Sequence, residues 1–558
     1  MNRSRTGYRS IVLRGLHVLL GSAMLLFVLQ TQALAQSLST RHVRQEVFSG
    51  EAQFQNRLPA TQSLSLNIAL PLRNEAQLDT LLQQLYDPQS PSFHQFLSVE
   101  EFTDRFGPTA DDYAAVISYA QKNGLTVTGT FPNRLVVNVA GSVASVEKAF
   151  HVSMGSYQHP YEPRSFYSPD REPSADLSVP LWHVSGLDNF SIPRPASLKR
   201  ASNGEVSNAR GSQTGSGPGG YFLGSDLRAA YYGGSALTGT SQSVGLLEFA
   251  GLNVSDVHNY FSVVGQPSNV TVKLVSADGS STSCPAASCD DTEQALDVEV
   301  AISMAPGMKS VLVYVSDTSD VAIFNSMASQ NVAKQLSCSW GWSPADPSSD
   351  DPIFMEFAAQ GQNLFAASGD SGSYGRRSRY VYPADDAYVT SVGGTDITTY
   401  GAGGPWASET AWSYSGGGAS PDGIRIPSYQ QTAGVITTAN RGSTTLRNAP
   451  DVAAEANTDN YICYDGTCAG GWGGTSFAAP RWAGYLALAN QQAVSHGDTA
   501  IGFINPALYK IGLGSSYSTN FHDITRGSNG TYSAQKGYDL VTGWGSPNGA
   551  GLINSLAP

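Results

Sequence analysis

The stretch "GGWGGTSFAAPRWAGYLAL" at residues 470–488 places Ser476 behind Gly473, Gly474 and Thr475 and ahead of Pro480. Glycines before a serine permit close approach. A serine that opens a helix meets amides favouring developing negative charge. The spacing suits a nucleophile turn, with a helix-capping serine as the structural alternative. A serine nucleophile needs a base. From Ser216 onward only His258, His496 and His522 occur, none in a Gly-rich turn. Carboxylates fit better. In "DTEQALDVEVA", Glu293 and Asp297 stand at i and i+4, on one helix face. Most like-charged pairs of this kind are merely solvated. Paired with a serine that lacks a histidine, they become a base and its orienting partner, sharing one proton. A Glu base with a pKa of about 4.3 works best in acid. The chemistry predicted is acyl transfer by a Ser–Glu–Asp triad at low pH.

The elements that must position these groups follow from patterning. From Tyr221 on, "SVGLLEF", "SVLVYV" and "NLFAASGDSG" read as strands, alternating with helices at 291–305, "DPIFMEFAAQGQ" and "TSFAAPRWAGYLALANQQ". Such alternation predicts an α/β domain, a parallel sheet flanked by helices over 221–558. Its sites lie at the carboxyl ends of the strands. Before it, residues 36–198 read as a smaller α+β unit. A strand "LSLNIALPL" precedes a helix with Leu78, Leu81, Leu82 and Leu85 on one face. A helix ending at Gly124, two strands and the helix "SVASVEKAF" follow. Residues 199–220 have the composition of an exposed, flexible linker, open to proteolysis.

Residues 1–35 read as an export signal: a basic start, the apolar "VLLGSAMLLFVLQ", and the small-x-small site Ala33-Leu34-Ala35. The apolar run is short for a membrane span, and no later segment is a candidate. Cysteine usage agrees with export. Cys284/Cys289 and Cys463/Cys468 could each close a small ring, while Cys338, in an apparent strand, is expected to stay buried and free. Net charge is −13 over 558 residues. From Ser216 onward 14 Lys and Arg face 28 Asp and Glu. That balance argues against nucleic acid as partner and suits tolerance of acid.

With these residues in place, the chain resembles the sedolisin (serine-carboxyl peptidase) family over nearly its whole mature length, and the prosegment resembles the family's activation domain. "YPADDAYVTSVGGT" at 382–395 and "RNAPDVAAEA" at 447–456 match further family segments. One departure is Gly473, where the family usually has Ser. The resemblance implies a subtilisin-like fold with a ferredoxin-like prodomain. It implies that Ser476, Glu293 and Asp297 form the triad and that Asp370, in "ASGDSG", lines the oxyanion hole. A protonated Asp370 can donate a hydrogen bond, whereas an ionised one would repel. The resemblance also implies one Ca²⁺ ion, held by Asp523 and Asp539 side chains and the carbonyls of Ile524, Gln535 and Gly537. Glu248 and Trp340 would extend the carboxylate network; a strand-end Glu and a core Trp are the plain alternatives.

The expectation is therefore a secreted, monomeric acid endopeptidase made as a zymogen, acting on proteins or peptides, with its own prodomain as intramolecular inhibitor. A tripeptidyl aminopeptidase of the same family is the rival activity, and a catalytically dead binding protein the rival class. Arg105, Lys122 and Arg134 are expected to tie the prosegment to catalytic-domain carboxylates.

Overall fold

The computed structural model describes residues 36–196, 198–200, 214–285, 289–375, 378 and 380–558. Residues 1–35, read above as an export signal, and the middle of the expected linker, 201–213, lie outside them.

The prosegment carries a four-stranded antiparallel sheet of β1 (Ser63–Ala69), β2 (Thr126–Thr130), β3 (Val136–Ser142) and β4 (His183–Ser185), in spatial order β2-β3-β1-β4. Helices α1 (Glu75–Leu85) and α2 (Ala110–Lys122) join β1 to β2, and α3 (Val143–Phe150) follows β3. This is the ferredoxin-like split arrangement. Alternating apolar residues on β1 and β3 bury Leu64, Leu66, Ile68, Val137 and Val139 against Val116, Val146 and Phe150 of the helices. α2 begins on the Thr109 side chain, which accepts from the Asp112 amide.

The remainder is built on one eight-stranded sheet. Its strands are β7 (Ser243–Glu248), β8 (Thr271–Ser276), β9 (Ser310–Val315), β10 (Gln335–Cys338), β12 (Asn363–Ala367), β13 (Val389–Thr399), β14 (Trp406–Ala411) and β15 (Val452–Glu455). The order is β8-β9-β7-β10-β12-β13-β14, parallel up to β13 and antiparallel at β14, with β15 parallel beside β13. β7, β9, β10 and β12 are buried along their whole length, as strands covered on both faces must be. Helices α4 (Thr292–Met304) and α7 (Thr475–Ser495) pack against one another over the sheet. All thirteen residues of α4 are buried, so Glu293 and Asp297 are not a solvated pair.

The two units share a core. Leu78, Leu82 and Leu85 of α1, with Phe102 and Phe106, cluster with Phe324, Phe354 and Phe357 from helices α5 (Asp320–Gln330) and α6 (Asp351–Ala359). Hydrogen bonds cross this contact. Tyr86 donates to the Ala358 carbonyl (2.6 Å) and accepts from the Phe503 amide (3.0 Å). Asn133 donates to Asn325 and to Glu356 (2.7 and 2.8 Å).

The expected ties through Arg105, Lys122 and Arg134 do not form. Arg134 turns back to Asp104 and the Pro108 carbonyl of its own unit. Arg105 lies over the Phe106 ring, and Lys122 ends α2 at an exposed position. The reason is physical: an apolar contact holds the units without desolvating ion pairs. Arg44 does reach across, to the Pro344 carbonyl.

Candidate active site

The candidate catalytic side chains meet at the carboxyl ends of the strands. Glu248 ends β7, Ser339 and Trp340 follow β10, and Asp370 follows β12. Glu293 sits in the first turn of α4 with Asp297 one turn on, and Ser476 is the second residue of α7. Ser476, Asp297 and Glu248 are fully buried and Glu293 and Asp370 nearly so. The three C-terminal-domain histidines lie elsewhere: His522 stacks on Trp406, His496 sits by the Pro558 carbonyl, and His258 lies on the helix Val254–Val263.

The carboxyl groups form a line running inward from the serine. The Ser476 hydroxyl and both Glu293 oxygens are buried without a formed hydrogen bond. Asp297 accepts from the Ser339 hydroxyl at 2.7 Å. Glu248 accepts from the Trp340 indole at 2.9 Å. Burial drives Glu293 well above the usual carboxylate range; Asp297 and Asp370 raise it further, and the neighbouring Ser476 hydroxyl tempers it. Burial likewise raises Asp297, with the Glu248 charge adding to it. Glu248 is raised by burial against the pull of Trp340. Such a line holds protons in common. Ser339 was not singled out in the sequence; a small polar residue beside Trp340 in an apolar strand was the only signal. Its hydroxyl also lies 3.3 Å from the Ser476 carbonyl, which Pro480, lacking an amide, cannot serve.

Asp370 has two unlike oxygens. Oδ1 accepts from the Thr475 amide and hydroxyl, both at 2.7 Å. Oδ2 is buried and unpartnered. Burial lifts the carboxyl to about 7, against those hydrogen bonds and the Lys199 charge. Below that pH Oδ2 carries a proton and is a donor. Gly474 makes room for it, since a Cβ there would stand 2.7 Å from Oδ2. Gly473 is also required: its Cβ would meet the Asn457 and Ala456 backbone at 2.5–2.7 Å. The departure at Gly473 is thus fitted to this backbone.

The linker does not begin as a free chain. β5 (Arg194–Pro195) pairs antiparallel with β11 (Trp340–Gly341), and the Ala196 amide donates to the Ser339 carbonyl. β6 (Lys199–Arg200) pairs antiparallel with Trp472 and Gly473 of β17 (Thr467–Gly473). Leu198 packs over Gly474. The described residues up to Ala196 therefore sit on one edge strand of the cleft, and those from Leu198 to Arg200 on the other. Composition predicts an exposed linker over 199–220; its first two residues, Lys199 and Arg200, instead pair with an open strand edge, while 201–213 lie outside the described residues.

Both cysteine pairs are bridged, Cys284–Cys289 and Cys463–Cys468, and Cys338 is buried and free. The second bridge closes the hairpin of β16 (Asn460–Tyr464) and β17. Near the C-terminus, Asp539 is buried and held by the Gln535, Val541 and Thr542 amides. Asp523 accepts from Tyr517 and the Gly537 amide. The carbonyls of Ile524, Gln535 and Gly537 accept no hydrogen bond from the described residues. Two carboxylates beside unserved carbonyls are an all-oxygen donor set that fits Ca²⁺.

This fold and site define a serine-type peptidase of subtilisin-like architecture that carries its own activation domain. Residues 51–190 match the family model "Pro-kumamolisin, activation domain" and residues 295–502 match "Subtilase family". The chain is 30% identical over 553 residues to kumamolisin of Bacillus sp. (strain MN-32), covering 92% of this chain and 97% of that one. It is 28% identical over 528 residues to sedolisin of Pseudomonas sp. (strain 101), covering 88% and 86%. Identity to tripeptidyl-peptidase 1 of Canis lupus familiaris is 27% over 551 residues, covering 90% and 92%. The solved structure of Pseudomonas sedolisin, a serine-carboxyl proteinase complexed with two molecules of pseudo-iodotyrostatin, aligns with a TM-score of 0.51 at 28% identity, covering 60% of this chain and 96% of that one. The chain belongs to the sedolisin family of serine-carboxyl peptidases.

Proposed function

We propose that the chain is an exported, acid-active endopeptidase, made as a monomeric zymogen and using Ser476, Glu293 and Asp297 as its triad. The observation carrying this reading is the unpartnered Ser476 hydroxyl at the end of a buried line of carboxyls, with no histidine beside it among the described residues. Glu293 removes the Ser476 proton as Oγ attacks the scissile carbonyl carbon. Asp297 and Glu248 take up part of the charge, and Ser339 and Trp340 fix them in place. The tetrahedral oxygen receives hydrogen bonds from the Ser476 amide and from protonated Asp370. Glu293 then returns the proton to the departing amine. Water, deprotonated by Glu293, releases the acyl group from Ser476.

The seated linker supports both the zymogen and the endopeptidase readings. A chain that enters the cleft with Arg194 and leaves with Arg200 continues on both sides, so the cleft need not end three residues before the scissile bond. We assign the first cut to the stretch between Ala196 and Leu198, because the residues on either side of it pair with the two edge strands. Asp523, Asp539, Ile524, Gln535 and Gly537 would hold Ca²⁺, which would neutralise buried charge and brace the loop. Export is supported by the leader-like residues 1–35 and by the two disulfides.

Acidifying purified precursor tests the proposal. Two chains separated beside residue 197 should appear in the mass spectrum, and N-terminally blocked peptides should be cut between roughly pH 3 and 6. The precursor carrying Ser476→Ala should do neither. Maturation of that variant by itself, or an optimum at neutral pH, would sink the triad. Cleavage restricted to tripeptides from free amino termini would replace endopeptidase by tripeptidyl peptidase.

A further inference from the structure

Two basic side chains of the seated segment lie on aromatic faces of the peptidase. Lys199 Nζ is 4.9 Å from the Tyr414 ring centroid. The Arg200 guanidinium is 5.2 Å from that of Trp472. Backbone pairing fixes both placements, with Lys199 opposite Gly473 and Arg200 opposite Trp472. Tyr414 is 50% exposed and packs edge-on against Trp412. Trp472 is braced edge-on by Tyr464, with its indole N–H buried and unpartnered. Both rings belong to the catalytic unit and remain when the prosegment leaves.

We infer that Tyr414 and Trp472 are specificity-determining residues that select Lys and Arg at two successive positions on the leaving-group side of the scissile bond. The inference rests on the endopeptidase reading above. With the proposed cut between Ala196 and Leu198, Lys199 and Arg200 are the second and third, or third and fourth, residues beyond it. The physical reason lies in the working pH. A carboxylate pocket for Lys or Arg loses its charge in acid, at the pH where this site would act. The quadrupole of an aromatic ring does not titrate, and it attracts a cation equally at pH 3 and pH 7. An acid peptidase can thus choose basic residues without an acidic pocket. The surrounding unit, with 28 acidic against 14 basic residues, favours approach of the same cationic chains while its surface carboxylates stay ionised.

The test uses the acid-matured enzyme and quenched peptides of residues 191–203, "SIPRPASLKRASN". At pH 4, Lys199→Ala or Arg200→Ala in the peptide should each lower kcat/KM by about two- to fivefold. Exchanging Lys for Arg at either position should preserve it. Tyr414→Ala in the enzyme should bring the parent and Lys199→Ala peptides to equal kcat/KM, and Trp472→Ala should do so for Arg200→Ala. Trp472→Phe, which keeps a ring in the hairpin, should retain the preference. Equal cleavage of all peptides by the unaltered enzyme overturns the inference, and so does a preference that survives in Tyr414→Ala. If the parent peptide is not cut in acid at all, the peptidase reading fails first and this inference falls with it.

Discussion

At Asp370 one oxygen is committed to Thr475 and the other is free to carry a proton beside Gly474. That division makes the residue's protonation state the variable to measure. Asp370→Ala should lower kcat about 100- to 1000-fold, the usual cost of one oxyanion donor, with KM little changed. Asp370→Asn keeps a neutral donor at every pH. Since the Asp370 carboxyl titrates at about 7 and donates only below it, activity falls as pH rises through that value, and the Asn form should move this alkaline limb upward. A limb unmoved in the Asn form assigns it to another group. Residue type and spacing made Ser476, Glu293 and Asp297 legible: a serine at a Gly-rich helix start, and two acids one turn apart. Asp370, Glu248 and Trp340 were legible through the resemblance alone, because a turn aspartate, a strand-end acid and a core tryptophan are ordinary by themselves. Ser339 was missed because its role depends on β10 and α4 meeting in space.

Between elements, the contact of α1 and its neighbours with α5 and α6 decides how firmly the prosegment sits. Tyr86→Phe deletes two hydrogen bonds across that contact and leaves the Ala358 carbonyl and the Phe503 amide buried and unserved. A cost of about 1–3 kcal/mol per orphaned group is expected. The precursor should then release its prosegment sooner and at higher pH, read as the pH at which half is processed in a fixed time. At the loop proposed to hold Ca²⁺, a chelator should lower the unfolding temperature of the mature enzyme by several degrees, and Asp539→Asn should abolish that sensitivity. Period-2 and period-3.6 patterns disclosed β1, α1, α2, β7 and α7 because each buries a face or a whole run. They could not disclose β5 and β6, two residues each, which are strands only because β11 and β17 offer open edges.

The buried carboxyls of the precursor lie in its peptidase unit, one of them at the shared core. Glu356, held by Asn133 at that contact, is lifted to about 8, and Asp370 to about 7, by burial first in each case. Their values in an unfolded chain lie near 4. Between those limits the folded state holds more protons than the unfolded one, so stability falls as pH rises. The uncleavable Ser476→Ala precursor should therefore melt several degrees lower at pH 8.5 than at pH 6.5; a flat profile would contradict these shifts. His183 works in the opposite sense at lower pH. Buried and stacked 4.4 Å from His42, it is held well below 6.5. Acid thus favours a released prosegment in which the imidazole can charge. His183→Gln should need a lower pH for half-processing than the parent. The acidic balance of the sequence pointed to acid tolerance but not to this opposition, which depends on which groups are buried.

The strand that lies across the cleft has a kinetic meaning. Under the proposed self-cleavage, the residues on either side of the first cut are already paired with β11 and β17 of the same molecule, so that cut is unimolecular and the segment's effective concentration owes nothing to how much protein is present. Diluting the precursor a hundredfold should leave the half-time of the first cut unchanged, whereas any processing of one molecule by another would slow in proportion. Each copy then carries its own clock, started by protons.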